Sequence, residues 1–358
     1  MDLKYVPIFR ARQQEIIVLK SFDFGDKIYP LLEIIKEKDR KNNTKTTLEI
    51  YSELIDNITS DKVFLDLPVY LKINNSTNDE VVAFSKSVIE DVIERIAFFN
   101  QFAELNERVV PVISSLLLKT GEIEIERQVQ ELRANFPLLA FRTFHNTFES
   151  DIMQISNNIV NTDYFMYDLD TTSISNPLFR RHRRKISEID SNNKIILRSA
   201  INTDIQNVKL DHGNIISEAD NILLEEYSQV GLFGAFGDYC GVKKDDLTSG
   251  GTISPGFIIY DPYENMYYGY KGALKKLSEF EDTIVPNVLD SEMMTRLQTK
   301  YLQYVNDNEG IQILKDIQAG NENGKSQAKF KKVSILHYLH CLKTNINANE
   351  EIPLYLIP

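Results

Sequence analysis

The chain has 358 residues, of which 42% are hydrophobic, 26% charged and 10% aromatic, with a formal net charge of −12. That composition excludes a largely disordered chain, and at roughly 150 residues per domain the length suits one large domain with an addition, or two domains. The acidic balance excludes a DNA binder that relies on overall charge, so any nucleic-acid contact has to be local.

No apolar run approaches the ~20 residues needed to span a bilayer, and the opening MDLKYVPIFRARQQE has no apolar signal core. The two cysteines, Cys240 and Cys341, imply no disulfide framework. A cytoplasmic protein without membrane contact is therefore expected.

In chain order, β-rich runs fall at Tyr5–Phe9, Lys27–Ile34, Lys62–Leu67, Arg108–Ile113, Leu138–Arg142, Tyr164–Asp168, Lys194–Arg198 and Leu232–Gly237. Most are continuously apolar rather than alternating, as parallel strands buried on both faces are. Between them, Thr47–Ile58, Glu80–Phe99, Glu122–Asn135, Phe148–Ile159, Pro177–Ile189 and Ser217–Tyr227 carry apolar residues at helical spacing. Glu80–Phe99 is the clearest amphipathic helix, and Asn176-Pro177 supplies a cap and a helix-opening proline.

Eight strands alternating with helices over about 240 residues predict a (β/α)8 TIM-barrel-like α/β fold. The main competitor, an open doubly wound sheet, lacks support, because no GxGxxG follows the first strand. Past the eighth strand, Gly256–Asp261 and Met266–Tyr270 flank Pro262-Tyr263-Glu264-Asn265 and predict an added β-hairpin. From Val288 the pattern is helical, ending in a helix over Ala328–Leu342. The barrel and hairpin are assigned to residues 1–275 and a C-terminal helical appendage to residues 276–358.

Several short motifs are similar to those of one family. They are Tyr5, Pro7, Arg10, Glu15 and Leu19 at the start, then Pro30 and Glu33, and Leu65-Asp66-Leu67-Pro68. Gly237-Asp238-Tyr239, Gly250–Pro255, Tyr268–Gly272 and the Phe330…His337 segment continue the series. Over nearly its whole length the chain resembles the Beta protein family, although many members carry Trp where Phe330 stands. The resemblance implies a phage, mobile-element or antiviral-defence context and carries no assigned reaction.

In a (β/α)8 barrel the reactive groups sit at the C-terminal strand ends. Here those ends present Arg10, Glu33, Asp66, Arg142 with His145 just beyond, Asp168 with Asp170, Arg198 and Asp238, while the fourth strand offers Ser114 and Ser115. Mixed acids and arginines suit an anionic, phosphorylated or nucleotide-type ligand, because guanidinium forks bind phosphate oxygens and carboxylates serve as acid, base or metal ligand. The expected roles are Glu33, Asp66, Asp168 and His145 in a hydrolase- or phosphodiesterase-like reaction, with Arg10, Arg142, Arg198, Asp238, Lys243 and Lys244 on the substrate. Asp168 and Asp170, two apart on a strand, are candidate ligands for an ion such as Mg²⁺. The competing reading is a network of mutually neutralising charges in a non-catalytic scaffold that binds a protein or nucleic-acid partner.

Other features carry less. Arg180–Lys185 (RRHRRK) is the sharpest cationic run and the place where nucleic acid would be met; a solvated helix face explains it as well. The glycine-bearing segment Asp238–Pro255 is expected to lie over the mouth as a binding loop. GNENGKS at Gly320–Ser326 has three residues between its glycines, one too few for a phosphate-binding P-loop. His337, His340 and Cys341 lie on a helix whose apolar periodicity indicates packing rather than metal binding.

Overall fold

In the computed structural model, which describes residues 3–37, 44–71, 73, 75, 77–115, 122–199, 201–216, 232–244 and 253–348, eight parallel strands close into a barrel. They are β1 (Tyr5–Arg10), β2 (Leu31–Glu33), β3 (Val63–Asp66), β4 (Val109–Ile113), β5 (Ala140–Phe144), β6 (Tyr164–Asp168), β7 (Asn193–Leu197) and, after a two-residue strand β8 (Asn214–Ile215), β9 (Ala235–Asp238). β9 closes the ring by pairing with β7 on one side and β1 on the other. Gly237 makes that closure fit: a Cβ there would clash with the Val6 carbonyl oxygen and meet the Leu197 side chain at 2.7 Å.

The intervening helices are α1 (Gln13–Ser21), α2 (Thr47–Asp56), α3 (Asp79–Glu90), α4 (Val92–Asn100), α5 (Glu122–Leu132), α6 (Phe148–Asn158) and α7 (Pro177–Glu188). α2 opens with a complete capping box between Thr46 and Glu49, and α7 opens with the expected Asn176 cap and Pro177. The single helix expected over Glu80–Phe99 is two. Asp91 takes an extended conformation (φ −126°, ψ 110°), and its carboxylate caps α4 by accepting from Ile93 N–H at 2.8 Å. A short polar residue that competes for backbone hydrogen bonds breaks the run where apolar periodicity alone shows no break.

Strand limits also differ. The second strand is Leu31–Glu33 rather than Lys27–Ile34, because Pro30 has no N–H for the ladder. The fifth runs to Phe144 instead of stopping at Arg142, since Phe144 still pairs with Asp168. The helix expected at 217–227 and residues 245–252 of the expected binding loop lie outside the described residues.

The interior is layered. Phe64 and Tyr164 meet edge to face at 4.8 Å. Two residues further along their strands, on the same side of each strand, stand Asp66 and, after a second such step, Asp168. An aromatic layer therefore floors a charged one.

The opposite, N-terminal end uses charge differently. Asp163 accepts from both Nη atoms of Arg133 at 2.7 and 2.6 Å and from the N–H groups of Leu139 and Val160. Arg108 donates to the carbonyls of Ile55, Ile58 and Ser60. There the charges tie down backbone.

The chain divides into two units, the first comprising residues 1–198, 230–238 and 246–249 and the second 199–229, 239–245 and 250–358. The hairpin, β10 (Gly256–Asp261) with β11 (Met266–Lys271), thus groups with the helical segments and not with the barrel, because β11 also pairs with β8. The second unit's helices include α8 (Val285–Leu289), α9 (Glu292–Lys300), α10 (Glu309–Gln318) and α11 (Gln327–Asn347). α11 buries Phe330 against Phe257 and Phe280, and Tyr338 against Tyr260. No described helix is long and apolar enough to cross a membrane.

Candidate functional site

Arg142, buried to 1% exposure on β5, is the hub of the C-terminal end of the barrel. Its Nη1 donates to Glu33 Oε1 at 3.0 Å and Asp66 Oδ2 at 2.6 Å. Its Nε and Nη2 both donate to Asp168 Oδ2, at 3.0 and 2.6 Å. Carboxylates from β2, β3 and β6 thus converge on one guanidinium from β5. Arg10 Nε, at the end of β1, donates to the other Glu33 oxygen at 3.2 Å.

Two arginines hold Glu33. Asp66 is different: burial, with the nearby Glu33 charge, pushes its carboxyl above the usual range despite Arg142 and Arg95. Its Oδ1 is buried without a hydrogen-bond partner among the described residues. Of two adjacent carboxyls, one is thus held by two arginines while burial raises the other, an unequal pair of the kind that divides acid and base roles.

Three contributors were not singled out in the sequence. Tyr70, in the segment after β3, donates its hydroxyl to Glu33 Oε1 and lays its ring 5.1 Å from the Arg142 guanidinium. Arg95 of α4, with no exposed side-chain surface, donates to Leu67 O at 2.6 Å, Val112 O at 3.4 Å and Gln128 Oε1 at 3.1 Å. It stands 3.9 Å from Asp66 Oδ1. Gln128 of α5 in turn donates to Ser114 O at 3.1 Å. Burial lowers the Arg95 guanidinium to about 10, still charged at neutral pH. The available signal for Arg95 is a cation on the apolar side of α4, beside Ile96 and Phe99.

The other expected residues are spread around this hub. Asp238 accepts from the Tyr5 hydroxyl at 2.6 Å. Arg198 lies just past β7, 8% exposed, and its N–H donates to Gly237 O at 3.0 Å. His145 lies just past β5, where its Nε2 is 3.5 Å from Thr172 Oγ1 and its backbone N–H donates to Asp168 O at 2.9 Å. Its Nδ1 is buried without a hydrogen bond among the described residues. Lys243 and Lys244 belong to the second unit, where Lys243 Nζ donates to Ile205 O at 2.9 Å and Lys244 stands 5.7 Å from the Tyr239 ring centroid.

Asp168 and Asp170 do not fit a Mg²⁺ site. Asp170 has left the strand for the left-handed region (φ 54°), and its N–H donates to Asp168 Oδ1 at 2.7 Å. With Oδ2 already on Arg142, both Asp168 oxygens are committed. Among the described residues no three His, Cys, Asp or Glu side chains are grouped to hold a metal ion.

The sequence features expected to be structural are so. Gly320–Ser326 joins α10 to α11, and Ser326 caps α11 by accepting from Lys329 N–H. His337 is buried between Tyr260 O, 2.8 Å from Nε2, and Asn308 Nδ2, 2.9 Å from Nδ1. Burial lowers its imidazole to about 4, so the ring is neutral and donates to the carbonyl.

The fold and this cluster define a (β/α)8 barrel with a buried acid–arginine network at the C-terminal strand ends. The chain belongs to the Beta protein family, whose model matches residues 5–342. No curated protein matches it. Among solved structures it is similar to a GH39 beta-xylosidase from Caulobacter crescentus, at 12% identity and a TM-score of 0.40, covering 66% of this chain and 62% of that one. The chain thus spans about three fifths of the length of the enzyme it matches.

Proposed function

We propose that the barrel is a hydrolase-type enzyme acting on a phosphorylated or nucleotide-type ligand at its C-terminal mouth. The observation that carries this reading is the pairing of Asp66, driven toward its protonated form, with Glu33, held between Arg10 and Arg142. In this reading Asp66 gives its proton to the leaving oxygen as its bond to phosphorus breaks, and Glu33 or Asp168 takes a proton from the water that forms the new bond to phosphorus. Arg10 and Arg198 supply positive charge for anionic oxygens, and His145 is a second proton carrier at the rim. Arg142, engaged by three carboxylates, orders the acids rather than gripping substrate. The family resemblance points to a phage or antiviral-defence setting for that reaction.

The contrast between the two barrel ends supports a functional role. At the N-terminal end the ionic groups brace loops, whereas at the C-terminal end they are aimed at one another across strands. A screen of nucleotides, phosphomonoesters and phosphodiesters with wild type and Asp66→Asn tests the proposal. A true acid contributes about 10²–10⁴-fold to rate. Turnover of one substrate class, lost on that scale in a folded Asp66→Asn protein, is the expected result. No turnover above the Asp66→Asn background for any class would remove the enzyme reading.

A second reading has one specific observation in its favour: Glu33, Asp66 and Arg142 are each at most 1% exposed, and Arg142 donates to both carboxylates. It makes the network an internal brace of a non-catalytic scaffold for a protein or nucleic-acid partner. Partner binding indifferent to Asp66→Asn would support it.

A further inference from the structure

Helix α7 carries Arg180, Arg181, Arg183, Arg184 and Lys185, all exposed, in a chain whose net charge is −12. Its three buried residues, Phe179, His182 and Ile186, hold it to the barrel. The His182 ring lies 4.4 Å from Phe148, its Nδ1 is 2.7 Å from the Tyr167 hydroxyl, and Phe179 packs 5.5 Å from Tyr167. Leu178, 40% exposed, is the one large apolar side chain the helix leaves at the surface, too little for insertion into a lipid surface.

Lys185, in the last turn, is the one cation of the five placed where the helix dipole favours it. There is no acidic residue in its first turn, the place where the helix dipole favours one. Arg180 with Arg184, and Arg181 with Lys185, are like charges four apart, a mildly destabilising spacing. The acids beside them are weak competitors: Glu188, 3.0 Å from Arg184, has a side chain 61% exposed, and Glu149, which meets Lys185, is 55% exposed. Surface pairs of that kind contribute about 0–1 kcal/mol and exchange readily for another anion.

Four of the five cations are arginines, the side chain that matches phosphate oxygens two at a time. They run in rows about 6 Å apart along a helix roughly 18 Å long. Residues 180 to 185 cover about 7.5 Å of that axis, and a nucleic-acid duplex presents a charge about every 1.7 Å, so the cations lie opposite about four phosphates. α7 exposes no aromatic ring on which an unpaired base would stack, since Phe179 is buried. We infer that the outer face of α7 docks the phosphate backbone of a nucleic-acid duplex without reading its sequence. This surface is independent of the chemistry proposed for the mouth.

Fluorescence anisotropy of the full chain with labelled duplexes of two unrelated sequences, across 25–200 mM salt, tests it. Both duplexes should bind alike, with log Kd rising with log salt at a slope of at most about 4.5 for five contacts. Arg180→Gln alone should lower the slope by about 1. Replacing all five cations by Gln should abolish the salt-dependent binding, while replacing the four arginines by Lys should keep most of the slope. No duplex binding at the lowest salt, an unchanged slope in the five-fold variant, tighter binding of single strands, or equal binding to phosphatidylglycerol vesicles or polyglutamate would each overturn the assignment. Thermal melts of each variant confirm that the barrel is intact when the comparison is made.

Discussion

Replacing Arg142 by Met removes the one cation that three carboxylates share while filling much of its volume. Glu33 keeps Arg10, and Asp66 keeps Arg95 at 3.9 Å, but Asp168 loses the only side-chain cation given to it among the described ion pairs. Leaving buried charge uncompensated costs about 3–5 kcal/mol. For a unit of this size each kcal/mol lowers Tm by roughly 2–4 °C, so a fall of about 6–20 °C is expected near neutral pH. The loss should also depend on pH, with a definite sign. A carboxyl raised by folding stabilises the native state below its ordinary pKa of about 4, and that contribution disappears as pH rises through the raised value. Asp66 is such a group in the wild type. Without Arg142, Asp66 loses the larger of the two cationic contributions that oppose this rise, so its carboxyl is raised further. Scanning calorimetry of wild type and Arg142→Met at pH 5 and pH 8 should therefore show the smaller difference at pH 5. Equal differences at the two pH values would refute the idea that the network is held by charge, and a larger one at pH 5 would reverse its sign.

Glu33→Gln and Asp66→Asn should part company: Glu33→Gln breaks contacts to two arginines and should cost about 3–5 kcal/mol, whereas Asp66→Asn resembles the protonated form that burial already favours and should shift urea midpoints by the equivalent of less than about 1.5 kcal/mol. Asp163→Ala, at the N-terminal end, should destabilise by about 3 kcal/mol in the same assay and leave any turnover at the mouth unchanged at temperatures where it is folded. Gly237→Ala should prevent closure of the barrel or lower Tm by more than 10 °C, because its methyl would meet the Val6 backbone carbonyl as well as the Leu197 side chain. Cys240 and Cys341 are both buried, and burial pushes the Cys341 thiol up. Iodoacetamide at pH 8 should give no adduct by mass spectrometry until urea is added, and adducts on native protein would contradict the packing.

The barrel was legible because its evidence is local. Continuously apolar runs such as Val109–Ile113 announce strands covered on both faces, and each is followed by an amphipathic segment. What failed was local competition. Pro30 shortened β2, Asp91 divided the longest helix, and Thr143 with Phe144 carried β5 past a charge that looked like its end. The hairpin was legible as two strands about Pro262-Tyr263-Glu264-Asn265, but its membership was not. That depends on β11 pairing with Ile215 and Asn214, more than fifty residues away in sequence.

The site shows the same division at finer scale. That acids and arginines gather at one end follows from barrel topology once the strands are known, and Glu33, Asp66, Arg142 and Asp168 do meet there. Which group faces which does not follow. Arg142 was expected to hold substrate because it is an arginine near a mouth. It holds carboxylates because β2, β3 and β6 bring residues 109, 76 and 26 positions away to its nitrogens. Arg95 and Tyr70 were passed over for a related reason. A helix residue and a loop residue carry no strand-end signal, yet one lies under Asp66 and the other over Glu33. Residue type therefore locates charge, and only closure of the barrel decides whether that charge is offered to a ligand or neutralised inside. In this protein closure turns Arg142 onto three carboxylates, and it sets Glu33, held by two arginines, beside Asp66, whose carboxyl burial raises.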